Sequence, residues 1–256
     1  MAPVSAIVVN LDSRKDRWAY MQKTAQRLDI TLERLPAVNG STLDLSSVPL
    51  GPLVRSTLKT GKKYSIVHLE SRGAVGCYLS HELAWKCAAM ASEPTLILED
   101  DARPTEHAKM ILHKAWKQVQ DGEWDIVLLG AHDGGVDTIQ HLPSWLSTGK
   151  LKTGSWAYLV SPAAAQALID ASNVLEYQVD LFLHTVGKRV GFANAFQQAS
   201  FFRKPDIAHV ALERVSKVGF VYAAVLGAVG GAFLMWLLSR SYKRIEALLT
   251  SGGLQA

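Results

Sequence analysis

Hydrophobic positions along this chain switch between two periods. Residues 4–11 form an apolar run of strand length, and the run after it sets Trp18, Met21, Ala25 and Leu28 on one helical face. Residues 31–38 predict a second strand. From 39 to 73 the pattern breaks at Gly40, Gly51-Pro52 and the basic run Lys59-Thr60-Gly61-Lys62-Lys63, a length that predicts a functional or mobile loop. Alternation then resumes, with a helix over 76–90, a strand over 95–98, a helix over 106–120, and strands over 125–129 and 155–160. Helices over 162–171 and 179–186 and a strand over 190–195 complete it, and no internal repeat is visible. Strands alternating with helices predict an α/β sandwich with a mostly parallel sheet, ligands gathering beyond the carboxyl ends of its strands.

The pattern changes again near the far end. Residues 218–238 are 21 residues without a charge, flanked by Arg214 and Lys217 on one side and by Arg240, Lys243 and Arg244 on the other. That length spans a bilayer, and Tyr222 and Trp236 stand near its ends, where amphipathic aromatics settle. The alternative is a buried core helix. The expected organisation is a domain over 1–205, a juxtamembrane linker over 206–217, a transmembrane helix over 218–238 and a short polar tail over 239–256. The start of the chain lacks both a basic n-region and a cleavage site, so the expected topology is a single-pass C-terminal anchor with the domain in the cytosol. Gly227 and Gly231 form a small-xxx-small pair that suits a homodimer through this helix, although glycines are frequent in membrane helices anyway.

At 256 residues and 48% hydrophobic, the chain is long enough to bury a full core in one domain. The net charge of +4 is modest and its basic residues are scattered, which argues against a nucleic-acid partner. Two cysteines, Cys77 and Cys87, fall on one predicted helix, about 15 Å apart at 1.5 Å per residue, too far for a disulfide. Free thiols suggest a reducing compartment.

The strongest chemical signal is Glu99-Asp100-Asp101 at the end of the apolar run 94–98. Continued strand alternation would send Glu99 and Asp101 to one side and Asp100 to the other. Hard cations such as Mg²⁺ or Mn²⁺ take carboxylate oxygens together with phosphate oxygens and water, so a metal and diphosphate site is one reading. The other is that these acids open the next helix, with Arg103-Pro104 in its first turn. Upstream, Gly73-Ala74-Val75-Gly76-Cys77-Tyr78-Leu79-Ser80-His81-Glu82-Leu83-Ala84-Trp85 reads as a glycine turn running into a helix. Cys77 and His81 are spaced i,i+4, but two ligands of mixed type are too few for a structural zinc site.

The order Gly-x-x-Gly-Cys-x-x-Ser-His-x-x-x-Trp, an apolar strand, then Glu-Asp-Asp resembles glycosyltransferase family 25, the lipooligosaccharide-type and collagen-type galactosyl- and glucosyltransferases. Ile7-Val8-Val9-Asn10-Leu11-Asp12 with Arg14 and Arg17 is similar to the family's opening strand and turn, and Leu35-Pro36-Ala37-Val38-Asn39-Gly40 to its second strand. Gly154-Ser155-Trp156-Ala157-Tyr158-Leu159-Val160-Ser161 is similar to a later block that usually carries Thr-His where this chain has Ser155-Trp156, a departure that removes a polar group from the site. Val179-Asp180 and Gln197-Gln198-Ala199-Ser200 also fall where the family has related residues, so the resemblance covers about residues 4–203.

That resemblance implies a GT-A-like nucleotide-sugar-binding sandwich and an inverting, metal-dependent hexosyltransferase. A hexose, galactose or glucose, would pass from a UDP-linked donor to a glycan, lipid-linked or protein acceptor, with Mn²⁺ or Mg²⁺ as cofactor. Glu99 and Asp101 are the expected metal ligands, and Asp101 and Asp180 the expected catalytic carboxylates, Asp180 as base. Asn10, Arg14, Arg17, Asp100, Ser80 and His81 are the expected donor contacts, arginine forks being suited to phosphate. Residue by residue, plainer roles stay open. Asp12 or Ser13 can cap a helix, Arg14 and Arg17 can lie on its solvated face, and His81 can serve helix packing. Lys59, Lys62 and Lys63 can steer an anion or simply be solvated, and His132-Asp133-Gly134-Gly135 can approach a ligand or form a plain turn. Two rivals of other classes are an inactive membrane-anchored scaffold with the same fold, favoured by Ser155-Trp156, and a metal-dependent phosphohydrolase using the same acids.

Overall fold

A computed structural model of the protein describes residues 4–63, 68–130, 132–133, 152–186 and 189–198. The expected linker, membrane segment and tail, together with Gly134-Gly135 and Ala199-Ser200, lie outside the described residues. Among the described residues no helix is long and apolar enough to cross a membrane.

The elements follow in the order β1 (Val4–Asn10), α1 (Lys15–Leu28), β2 (Ile30–Pro36), a 3-10 turn (Leu45–Ser47), α2 (Pro52–Thr60), α3 (Arg72–Ala89), β3 (Thr95–Glu99), β4 (Ala102–Pro104) and α4 (Ala108–Gln120). Then come β5 (Ile126–Leu128), β6 (His132–Asp133), β7 (Lys152–Thr153), β8 (Ala157–Val160), α5 (Pro162–Ala171), α6 (Val179–Val186), β9 (Val190–Phe192) and β10 (Phe196–Gln198). A six-stranded sheet has the order β2-β1-β3-β8-β5-β9. β1 runs parallel to both β2 and β3, β5 runs parallel to β9, and β8 alone runs opposite to its neighbours. The expectation of a mostly parallel α/β sandwich is met.

Period-two alternation in these strands feeds two cores, one on each face. Leu96 and Leu98 join Ala6, Val8, Val127 and Leu159 against α1 and α4. Ile97 joins Ile7, Val9, Ile126, Leu128 and Tyr158 against α3, α5 and α6. The chain leaves β1 for β2 on one side and later returns on the other side as β3, so the carboxyl ends of β1 and β3 flank a switch point, where α/β sheets hold ligands. Antiparallel β8 enters the sheet at that same end, since Trp156 O accepts the backbone N–H of Glu99 at 2.9 Å.

Three expectations are corrected. The stretch 39–73 is not structureless: Pro52 opens α2, left-handed Gly61 closes it, and Val54 and Thr57 bury its inner face, a helix too short to show a periodic pattern. Helix α3 begins at Arg72 with Ser71 as its cap rather than at 76, so Gly73 lies inside the helix and not in a turn before it. Gly76 is needed there because a β-carbon would stand 2.6 Å from Val38 O and 2.7 Å from Gly40 N, where the loop after β2 crosses the helix. The acids do not open a helix either. After Asp101 the chain forms β4, paired antiparallel with β10, and α4 starts only at Ala108.

Candidate active site

The strand β3 ends at Glu99, and its last side chain keeps the face of Ile97, turning toward α3. Asp100 and Asp101 then sit in the turn into β4. Alternation stops with the strand, so the expected separation of Asp100 from Asp101 does not occur: Arg17 Nη1 reaches Asp100 Oδ1 at 2.6 Å and Asp101 Oδ2 at 3.6 Å. One guanidinium bridges both carboxylates.

Around Asp100 the end of β1 supplies the partners. Asn10 is 1% exposed, and its amide donates to Asp100 Oδ2 at 2.7 Å and to Arg14 O at 3.1 Å. Its oxygen accepts from Arg34 Nε at 2.8 Å, and Arg34 Nη2 also donates to Asp12 Oδ1 at 2.6 Å. Asn10 therefore spends its hydrogen-bonding groups on orienting Asp100 and fixing the turn, and Asp100 is presented rather than free. Arg14 turns to Asp16 in a two-pronged contact of 3.0 and 2.8 Å on the surface.

Glu99 is held by a second set of groups. Ser155 Oγ donates to its Oε1 at 2.6 Å. Behind it, Trp85 Nε1–H can only donate, so Tyr158 Oη accepts it at 2.8 Å. The phenol hydrogen then goes to His81 Nδ1, also 2.8 Å away, because a buried O–H without an acceptor is costly. This argument puts the imidazole proton on Nε2, which faces Glu99 Oε1 at 3.5 Å. Burial alone would push the Glu99 carboxyl up, but His81, Ser155 and Arg17 outweigh it and hold the group below its ordinary value.

Asp101 and Asp180 behave in the opposite way. Burial first, then the nearby Glu99 charge, raises Asp101, with Arg17 opposing in part. Asp180, in the first turn of α6, is also raised chiefly by burial, with Glu99 adding to it against a bond from Leu181 N at 2.9 Å. Burial and the charges of Glu99, Asp180 and Asp101 likewise push the Cys77 thiol well up. Four titratable side chains from α3, β3 with its following turn, and α6 thus share one field.

A divalent cation fits part of this arrangement. Asp101 Oδ1 is buried and finds no hydrogen-bond partner among the described residues, so one hard oxygen is left over beside a second carboxylate. Cys77, His81 and Glu99 also bring one donor atom each within 4.8 Å of one another. That trio suits a metal less well. A ligating Nε2 must give up its proton, which would move to Nδ1 and strand the Tyr158 hydrogen inside the core.

The expected residues therefore divide. Asn10, Arg17, Glu99, Asp100, Asp101 and Asp180 converge at the carboxyl edge of β1 and β3. Ser80 does not face a ligand: its hydroxyl donates to Gly76 O at 2.6 Å and accepts from Val38 N at 2.8 Å, pinning the post-β2 loop to α3. His81 is fully buried and orients Glu99. Trp156 takes the polar position of the block into the α1/α4 core, where its ring fits against Gly130 and Gly154, while Ser155 keeps a hydroxyl on Glu99. Lys63 pairs with Glu70 at 2.8 Å. Arg34 was not singled out in the sequence, and Trp85 and Tyr158 stood there as motif residues without a role, though a phenol within the otherwise apolar β8 was a visible signal.

A mostly parallel sheet with carboxylates gathered at its switch point fits the GT-A-like class of glycosyltransferases. The chain belongs to glycosyltransferase family 25: the profile described as Glycosyltransferase family 25 (LPS biosynthesis protein) matches residues 4–183. Human procollagen galactosyltransferase 2 is 28% identical over 173 residues, 64% of this chain and 27% of that protein. A putative glycosyltransferase, R655, of Acanthamoeba polyphaga mimivirus is 28% identical over 183 residues, 66% of this chain and 53% of that protein. The mouse protein named inactive glycosyltransferase 25 family member 3 is 29% identical over 184 residues, 69% of this chain and 30% of that protein. The chain thus spans between about a quarter and a half of the length of these relatives.

Proposed function

We propose that this protein transfers a hexose, galactose or glucose, from a UDP-linked donor to a hydroxyl of a glycan or glycoconjugate. The observation that carries this reading is the orphaned, buried Asp101 Oδ1 beside Asp100 and Glu99, at the switch point of a family-25 sheet. Asp101, with Asp100 or Glu99, would hold Mn²⁺ or Mg²⁺, and such an ion supplies charge neutralisation for a departing diphosphate. Asp100 is oriented by Asn10 and Arg17, and Arg17 offers a fork suited to phosphate oxygens. Asp180 accepts the proton of the acceptor hydroxyl; its raised carboxyl affinity brings it closer to the working range of a base. Inversion at the anomeric carbon follows if one displacement completes the transfer. The galactosyltransferase names of several relatives support the choice of hexose.

A donor panel tests this. Full-length protein is incubated with Mn²⁺, a hydroxylated acceptor and each common nucleotide sugar, and nucleotide release is measured. Acceptor-dependent release from UDP-galactose or UDP-glucose is expected. No release with any donor would favour the inactive scaffold, and acceptor-independent phosphate release the phosphohydrolase. The same proposal includes a membrane anchor at 218–238, supported by its 21 uncharged residues. Full-length protein should resist carbonate extraction, and its recovery in the supernatant would contradict the anchor.

A further inference from the structure

Three charges compete for very little space at the turn after β3. Asp100 and Asp101 are each only 10% exposed in their side chains, and Glu99 adds a third negative charge within range of Asp101. Adjacent buried carboxylates repel unless a cation is shared between them. The structure supplies one from the protein itself, the Arg17 guanidinium in the first turn of α1, with contacts of 2.6 and 3.6 Å. The fit is incomplete. Asp100 is well paired, but Asp101 is met at the longer distance and its Oδ1 is left without a partner among the described residues. Here the guanidinium reaches both carboxylates through the single nitrogen Nη1, close to one and long to the other, whereas a compact hard ion can take oxygens from both at similar distances. Arg17 is itself 30% exposed, so it has a way out toward solvent.

We propose that Arg17 is a resident counter-cation that occupies the place of the divalent ion and is handed over to the donor's diphosphate when the ion enters. Metal and nucleotide then bind co-operatively, and Arg17 is the residue that couples them. Without nucleotide, the ion must displace a guanidinium from its two carboxylate contacts with no diphosphate to replace them. With a diphosphate present, the guanidinium gains a new partner as the ion gains two carboxylates. Two features make the exchange local. Asn10, fully committed to Arg14 O, Arg34 and Asp100, keeps Asp100 in place throughout. Arg103 packs over the Tyr20 ring at 3.8 Å and donates to backbone oxygens of Asp100 and Ala102, so it stays anchored while Arg17 moves.

This inference rests on the nucleotide-sugar reading above, and its test separates the two. Mn²⁺ binding to full-length protein is measured by electron paramagnetic resonance of the free ion, with and without UDP, for wild type and Arg17→Gln. In wild type, Mn²⁺ alone should bind weakly and UDP should strengthen it about fivefold or more. Arg17→Gln should bind Mn²⁺ alone about fivefold or more tightly than wild type, bind UDP more weakly, and lose most of the UDP-dependent gain. Arg17→Lys keeps the charge without the fork and should fall between the two. Equal or weaker Mn²⁺ binding by folded Arg17→Gln, or by Arg17→Lys should the glutamine variant not fold, would overturn the counter-cation role. Wild type that takes up no UDP at all would instead contradict the donor reading, while the nucleotide-free comparison still reports on Arg17.

Discussion

Glu99 and Asp101 stand two residues apart, yet their surroundings treat them oppositely. Around Glu99 the protein supplies its own partners: a serine hydroxyl at 2.6 Å, and a histidine whose tautomer is set by a phenol and an indole and whose Nε2 faces the carboxylate at 3.5 Å, a charge contact rather than a hydrogen bond. Around Asp101 it has left an oxygen without a partner and a carboxyl raised by burial and neighbouring charge. The contrast sets a carboxylate held by protein groups against one that, on the proposal above, takes a cation. Buried polar groups are ordinarily satisfied, so an unsatisfied carboxylate at a ligand-binding edge points to something that arrives later.

The largest effect expected is on transfer itself. Asp101→Asn should lower turnover about a hundredfold or more, because it keeps the shape and deletes the charge that a cation would meet. The same change should leave the melting temperature of the metal-free protein equal to or above that of wild type, since it removes a disfavoured charge. The sign follows from proton linkage. A carboxyl raised above its unfolded value of 3.8 binds more protons folded than unfolded, so its contribution to stability falls as pH rises through that window. The advantage of Asp101→Asn in a melt should therefore grow from acid toward neutral pH, and an advantage that shrinks would contradict the sign.

Next comes the base. Asp180→Asn should reduce kcat by about a hundredfold to ten-thousandfold while leaving UDP binding with Mn²⁺ nearly unchanged. Wild-type transfer should fall on the acid side with a midpoint above the ordinary carboxylate value of 3.8, and the variant's residual rate should lose that limb. Equal losses in binding and turnover would move Asp180 from chemistry to donor binding.

The smallest effects probe the Glu99 side. Tyr158→Phe strands the Trp85 indole N–H and removes the donor to His81 Nδ1, which should cost about 1–3 kcal/mol in a denaturant melt. With the tautomer no longer fixed, kcat/KM should fall about tenfold. Ser155→Ala should act in the same direction and more weakly, since only one bond to Glu99 is lost. A Tyr158→Phe protein as stable and as active as wild type would mean that the Trp85, Tyr158 and His81 chain does not serve Glu99.

How much of this was legible in the sequence depended on the range of the interactions. Strands with apolar runs and helices with strong caps read well: Ser161-Pro162 marked α5 at its first residue, and Val179–Val186 matched throughout. Short elements did not. Helix α2 buries only Val54 and Thr57, too few positions to show a period, and β4 takes its strand form from pairing with β10 some ninety residues on. The acids of the site were readable as a cluster, but their geometry was not. Strand alternation predicted opposite faces for Asp100 and Asp101, whereas a turn begins at Asp100 and one arginine reaches both. Ser80 and His81 stood correctly beside the site in sequence and yet face inward, because loop docking on Gly76 and the Tyr158 phenol claim them.

The central claim is that Asp101 awaits a cation shared with a nucleoside diphosphate. Calorimetric titration of UDP into full-length protein, with and without Mn²⁺, tests it most directly when wild type and Asp101→Asn are run side by side. The account predicts that Mn²⁺ strengthens UDP binding to wild type about tenfold or more and leaves Asp101→Asn unaffected. Identical Mn²⁺-dependent gains in the two proteins, both folded, would contradict it.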